Sequence, residues 1–333
     1  MNMITADARL RAVKLDPREA HFRIPSHHPG LSLFLRSLSP SAGTPPAGTV
    51  LYVHGGTFPS ALSIAHRFDG RSWRDELCAA GFDVWALDFH GFGEFSDRYP
   101  EMAEPADAHA PLGRAADASR QLEQAVRFIC AQRGVARLSI IAHSWGSIVS
   151  GHFAGRCPEL VERLVFFGAI ARRAPSAEAT RLPAWRLITL KDQWDRFTAD
   201  VPAGQAAVLS QRHFDEWGER YLDTDPDSRR RQPPAVQTPS GAFQDIFDAW
   251  AGQLAYDPGL VRAPVALIRG EWDGMCTEAD ACWLFDALRA APIRRIVTIS
   301  RATHLIHLEE SRFALYREAE AFLAARDGAP SSG

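Results

Sequence analysis

The stretch "LSIIAHSWGSIV", residues 138–149, constrains the fold more than any other. Apolar, strand-like residues run up to Ser144, and helix-like spacing begins directly after it. Ala142 stands two residues before the serine, Gly146 two after and Ser147 three after. Small residues on both sides mark a crowded backbone. A strand that turns into a helix through a single serine puts that hydroxyl at the sheet's edge on a tight, strained turn, the arrangement of a nucleophile elbow. The bland alternative is an ordinary buried serine.

The rest of the chain supplies strands and helices in alternation. "AHFRIP" and "LSLFLRSL" read as an N-terminal hairpin, and after the loop "SPSAGTPPAG" the run "TVLYVHGG" reads as a buried strand ending in glycines. "RSWRDELCAAG" is a helix with a glycine stop, "FDVWALDF" a second buried strand, and "LGRAADASRQLEQAVRFICAQRG" a long helix that also stops at glycine. Beyond Ser144, "WGSIVSGHFAGRCPE" fits a helix and "LVERLVFFGAI" a strand. "PVALIRGEWD", "EADACWLFDALRAA", "RRIVTIS" and "SRFALYREAEAFLAAR" continue the alternation to the end. Such a chain is expected to be α/β, with a mostly parallel central sheet and helices on both faces.

One segment breaks the rhythm. Over 171–255 no clear strand stands out, prolines and arginines are frequent, and aromatic residues recur among charges, Trp185, Trp194 and Trp250 among them. The expectation is a mainly helical lid inserted into a core formed by 1–170 and 256–327, with 328–333 a frayed tail. "DPDSRRRQPPAVQTPSG" within the insertion reads as a mobile loop, its triple arginine solvated rather than an anion site.

Composition excludes some classes. With 333 residues, 46% of them hydrophobic, the chain can bury one large core or two smaller ones, and a net charge of −3 with both signs interspersed gives no argument for nucleic acid or an anionic membrane surface. Cys78, Cys130, Cys157, Cys276 and Cys282 form no zinc-like pairs, so reduced thiols and no metal are expected. The start "MNMITADARLRAVKLD" has no apolar core of signal-peptide length, and no run reaches the length of a membrane span; the expected location is cytoplasmic. Of the basic residues only Lys14 and Lys191 are lysine, a bias that suggests a GC-rich bacterial coding sequence. "GFGEFS" imitates a dinucleotide fingerprint but lacks its third glycine and opens no helix, so no cofactor is expected.

Four motifs stand in one order: "HGG" at His54 to Gly56, "AHSWG" around Ser144, "GEWDG" around Asp273 and "THLIHLE" around His304. With them the chain resembles the α/β-hydrolase fold family over nearly all its length except the insertion. It departs from the G-x-S-x-G pattern at Ala142, which adds a methyl in a crowded place. The resemblance implies a triad of Ser144, Asp273 and His304, because a serine hydroxyl needs a histidine to take its proton and a carboxylate to orient that histidine. It further implies an oxyanion hole from the backbone N–H groups of Trp145 and Gly56, with Thr57 as second choice. Asp88 is a rival acid and His307 a rival base, but the family's histidine stands five residues before a glutamate, and Glu309 selects His304. His27, His28, His66 and His143 read as surface or packing residues. Thr57, Phe58, Trp185, Trp194 and Trp250 are the expected substrate contacts.

A serine hydrolase acting on an ester or thioester with an apolar acyl or aryl group is the expected function. Serine at the elbow argues against dehalogenase or epoxide hydrolase chemistry, which resembling families run on aspartate. An amidase or peptidase like proline iminopeptidase stays open, although that family's "HGGPG" is "HGGTFP" here. So do an acyltransferase, a lactone-forming cyclase and a small-molecule receptor that keeps the triad without turnover. The oligomeric state is not legible.

Overall fold

The computed structural model describes residues 15–40, 45–174 and 181–325. In chain order these fold into β1 (Ala20–Pro25), β2 (Ser32–Leu38), β3 (Gly48–Val53), α1 (Trp73–Ala79), β4 (Phe82–Asp88), α2 (Ala115–Arg133), β5 (Leu138–His143), α3 (Trp145–Arg156) and β6 (Val161–Phe167). There follow β7 (Trp185–Thr189), α4 (Leu190–Thr198), α5 (Gln211–Asp223), β8 (Ala235–Pro239) and α6 (Gly241–Trp250), then β9 (Val265–Gly270), α7 (Glu278–Ala287), β10 (Arg294–Ile299) and α8 (Arg312–Ala324). The readings of the N-terminal segment before residue 15 and of the tail at 328–333 lie outside the described residues.

The main sheet has eight strands in the order β1-β2-β4-β3-β5-β6-β9-β10. β1 and β2 are antiparallel, as is β2 beside β4, and every other pairing is parallel. Parallel strands buried on both faces send alternate residues into two cores. Leu51, Val53, Ile140, Ala142 and Leu164 join one with α2, α3 and α7. Val50, Tyr52, Ile141 and Val165 face the other, where Trp73 and Leu77 of α1 meet Leu315 and Phe322 of α8. This is the mostly parallel sheet with helices on both faces that the alternation predicts.

The segment between β6 and β9 holds a third cluster. Ile188, Phe197, Phe214, Trp217, Tyr221 and Val236 pack together with Phe58, Leu62, Leu305 and Leu308, which come from the loops beyond β3 and β10. The insertion therefore lies on the loops at the strands' C-terminal ends. Its α6 belongs with the main core through Ala242, Ile246 and Ala249.

Strands are present where none was expected. β7 and β8 pair antiparallel, Trp185 opposite Pro239 through Thr189 opposite Ala235, and so form a separate two-stranded sheet. The expected mobile loop is the chain that leads into β8. Its charges are paired locally: Arg229 with Glu219 and Asp223, Arg230 with Asp227, and Arg231 with Asp225. Asp225 also accepts the N–H groups of Asp227 and Gln237. Clustered charge indicates a loop only when the signs do not compensate.

The crossing of α3 over β3 sets a steric limit. A Cβ on Gly146 would lie 2.6 Å from the carbonyl oxygen of His54 and 2.8 Å from that of Val53, both backbone atoms that cannot move aside. Ala142, by contrast, is fully buried in an ordinary strand, its methyl part of the first core. Gly146→Ala should thus destabilise the fold by about 1–3 kcal/mol through overpacking. Ala142→Gly should also lose stability, by roughly 1–2 kcal/mol, because it deletes a buried methyl and loosens a strand. Urea unfolding of the two variants checks both, and a Gly146→Ala protein as stable as wild type would contradict the crowding.

Candidate active site

Ser144 sits between β5 and α3 with φ 53° and ψ −123°, a conformation that costs a non-glycine residue about 1–3 kcal/mol. It is held from three sides. The Ser144 N–H donates to the Phe167 carbonyl at 3.1 Å. The Ser147 hydroxyl donates to the Ser144 carbonyl at 2.6 Å and accepts the Ile170 N–H at 3.1 Å. Trp145 opens α3, so its N–H has no carbonyl a turn earlier in the helix to bond.

Asp273 and His304 come from the loops that follow β9 and β10. One oxygen of Asp273 accepts the N–H groups of Met275 at 2.9 Å and Cys276 at 2.8 Å, which fixes the carboxylate. Nδ1 of His304 lies 3.0 Å from each Asp273 oxygen. The imidazole is packed so closely that a Cβ on Gly168, itself at φ 57°, would stand 2.8 Å from its Cε1. Glu309 holds the histidine's loop by accepting the N–H and hydroxyl of Thr303. His304 Nε2 is buried without a hydrogen-bond partner among the described residues, and the ring borders the same small cavity as Ser144, Gly55, Gly56 and Phe58.

A family model described as serine aminopeptidase, S33, matches residues 44–311. The chain belongs to this hydrolase family. Comparison with curated proteins by sequence finds no match. Among solved structures, the S33-family chain is similar to a thioesterase domain from the curacin biosynthetic pathway at 15% identity and TM-score 0.58, over 90% of this chain and 98% of that one. A thermophilic esterase from Thermogutta terrifontis matches at 17% identity and TM-score 0.57, over 91% and 98%. An epoxide hydrolase from Vigna radiata matches at 13% and 0.58, over 92% and 98%. At these identities the likeness is one of fold.

The rival residues of this S33-family hydrolase are engaged elsewhere. Asp88 accepts the Ser60 N–H at 2.7 Å and lies 3.9 Å from Arg36, so it anchors the loop after β3. Among the described residues His307 meets no carboxylate. Its ring stacks near Phe58 and packs against His143 and Phe167, with both nitrogens unpartnered among the described residues. Burial pushes it down to about 3, and His143 is held well below the usual range for the same reason. His143 Nε2 lies 3.1 Å from the His304 carbonyl and so ties the elbow to the histidine loop.

His27 and His28 converge with Asp117, far away in sequence, their ligand atoms within 4.8 Å of one another. Each Nε2 is hydrogen-bonded to the same Asp117 oxygen, at 2.7 and 2.8 Å, and Tyr99 donates to the other. The group is bonded internally and lies apart from the Ser144 cavity.

Of the expected substrate contacts, Thr57 and Phe58 line the cavity and the three tryptophans do not. Trp185 donates to the Glu104 carbonyl, Trp194 packs on Phe214, and Trp250 lies under Arg173 at 4.3 Å. Their rings are consumed in packing. Arg196, Phe243, Ile246 and Met275 line the cavity instead. The only sequence signal for them was membership of the insertion or nearness to Asp273. Among the described residues no helix is long and apolar enough to cross a membrane.

Burial pushes Glu309 up to about 7 from a usual 4.5. Between those pH values the folded protein keeps a proton that the unfolded chain has lost. That contribution is complete below about pH 4.5 and is lost as pH rises through about 7, with a slope of at most ~1.4 kcal/mol per unit. The buried His66 and His307, pushed down to about 3, act oppositely and weaken the fold as pH falls below 6.5. Subtracting the stability of Glu309→Gln from that of wild type isolates the first effect. The difference, measured by urea unfolding from pH 5 to 8, should shrink steadily as pH rises, and a flat difference would disprove the assignment.

Proposed function

We propose that this S33-family chain is a serine hydrolase that cleaves an ester or thioester of an apolar acyl or aryl group through an acyl-enzyme on Ser144. The observation that carries the reading is the state of His304: one ring nitrogen spanned by both Asp273 oxygens at 3.0 Å, the other free beside the Ser144 cavity. Nδ1 donates to the carboxylate, which leaves Nε2 with the lone pair that accepts a proton.

As Ser144 Oγ attacks the carbonyl carbon, its proton passes to His304 Nε2, and the imidazolium is stabilised by Asp273. The carbonyl oxygen, now an oxyanion, takes hydrogen bonds from the N–H groups of Trp145 and Gly56. Collapse breaks the bond to the leaving group, which departs with the proton from His304. Water then attacks the acyl-enzyme through the same base, releases the acid and restores Ser144. Phe58, Phe243, Ile246 and Met275 give the cavity its apolar wall. The segment between β6 and β9 is the lid that completes it.

The aminopeptidase description of the family favours a second reading. Such an enzyme must hold a protonated α-amine beside the nucleophile, a task for a carboxylate. The ionisable side chains lining the cavity are His143, His304 and Arg196. A cation there opposes an amine, so the ester or thioester reading stands ahead.

Ser144→Ala should remain folded, lose labelling by a fluorophosphonate probe and lose turnover of 4-nitrophenyl esters by roughly 10³-fold or more. Undiminished labelling at another serine would overturn the nucleophile. His304→Ala should be similarly impaired and His307→Ala far less. Asp273→Asn should cost more turnover than Asp88→Asn, and the reverse order would move the acid to Asp88.

A further inference from the structure

The cavity at Ser144 is about 10 Å³, room for roughly one water. A substrate must reach it from elsewhere. Arg196 and Phe243 line this cavity and also a cleft of about 540 Å³ on its outer side, whose wall includes Arg186 and Ile188. These two side chains therefore stand between the cleft and the nucleophile.

Arg186 lies over the Phe243 ring at 3.4 Å from its centroid and Arg196 approaches the same ring at 5.7 Å. Two like charges face one aromatic ring, and among the described residues neither has a carboxylate within ion-pair distance, although Asp192 acts on Arg186 from further away. Arg196 donates one hydrogen bond, to the Thr57 hydroxyl at 3.2 Å, and its Nε is buried without an acceptor. Nε of Arg186 is buried without one as well. Stacking on an aromatic ring orients a guanidinium but uses none of its N–H donors. Of the cleft's carboxylates, Asp195 pairs with Lys191, and Asp192 accepts the N–H and hydroxyl of Thr189 on one oxygen while its charge still acts on Arg186 from beyond ion-pair distance. Burial pushes both arginines down to about 10, which leaves them charged at neutral pH. Arg196, with an idle buried donor and no carboxylate acting on it among the described residues, and Arg186, whose nearest counter-charge makes no hydrogen bond to it, cost stability, a cost that an incoming anion reduces.

We infer that Arg186 and Arg196 form an anion subsite beside Ser144, and that the substrate carries a carboxylate or phosphate on the part that occupies the outer cleft. This rests on the reading of Ser144 as nucleophile. Apolar atoms then fill the inner wall at Phe58, Ile246 and Met275, with the anionic group held further out by the two planar forks, whose geometry suits paired oxygen acceptors. Phe243 stands between the two regions and is the side chain a substrate must displace.

The test separates the subsite from the reaction. Binding of glutarate and of inorganic phosphate to the Ser144→Ala protein is measured by calorimetry, with Arg196→Gln, Arg186→Gln and Arg196→Lys added in turn and each fold checked by thermal unfolding. Saturable binding of either anion, weakened tenfold or more by each glutamine variant and part-restored by Arg196→Lys, is the expected result. The tighter anion identifies the group, and Arg186→Gln keeps the test decisive if Arg196→Gln does not fold. Absence of saturable binding, or affinity indifferent to the arginines, overturns the subsite. In parallel, wild-type protein is assayed with the 4-nitrophenyl monoester of glutaric acid and its methyl-capped form, the free acid expected to have a kcat/KM at least tenfold higher. No hydrolysis of any ester alongside arginine-dependent anion binding would sink the Ser144 reading and leave the subsite standing. Ready hydrolysis with no preference for the free acid and no anion binding would do the opposite.

Discussion

The left-handed backbone at Ser144 is the constraint to which the surrounding structure answers. Left alone, a residue at φ 53° and ψ −123° would relax into an ordinary turn and swing its hydroxyl away. It is prevented by neighbours on two strands and on the chain that follows one of them. β6 accepts its N–H, β3 carbonyls crowd α3 at Gly146, and the Ser147 hydroxyl bridges the Ser144 carbonyl to the chain leaving β6. The position of α3 against the sheet and the conformation of the serine are one requirement.

The same economy governs the histidine. His304 is placed by contacts on every side: Asp273 on its edge, Gly168 beneath it, His143 bonded to its carbonyl, and Glu309 bracing the preceding threonine. Burial holds the His143 ring in its neutral form and pushes the Glu309 carboxyl up to about 7. The glutamate five residues on, which selected His304 from the sequence, has a physical meaning here: it ties Thr303 and so sets the angle of the loop.

Much of the core was legible because it depends on local signals, and the residues that meet at the Ser144 cavity were expected from the resemblance carried by four motifs in order. Strand ends, stop glycines and the spacing around Ser144 are short-range features, and the order of the motifs follows the order of the strands. Ala142 was a doubt that the backbone removes, since only the residue at 144 needs the unusual conformation. The rest depended on partners distant in sequence. β7 finds β8 across intervening helices, and arginines 229–231 look solvated until their partners on α5 and its following turn are known. Arg196 lies in "DQWDRFT" among carboxylates that suggest a solvated helix face, and only the fold shows it turned toward Phe243. The tryptophans misled because a large aromatic in an insertion serves packing as readily as recognition.

The insertion leaves the sheet after Phe167 and returns by Val265, on two strands that are immediate parallel neighbours in the same sheet. Its end points are thus fixed by the core, whatever lies between them. Loop-closure entropy grows only slowly with length, by about 0.6 kcal/mol for each doubling, so the excursion's length costs the scaffold little, provided α6 still covers Trp145 and a replacement keeps the apolar face that packs on Phe58, Leu62, Leu305 and Leu308. The molecule is accordingly modular in its geometry: the stretch between two adjacent strands can carry charge such as the arginine pair while the core strands fix where it begins and ends.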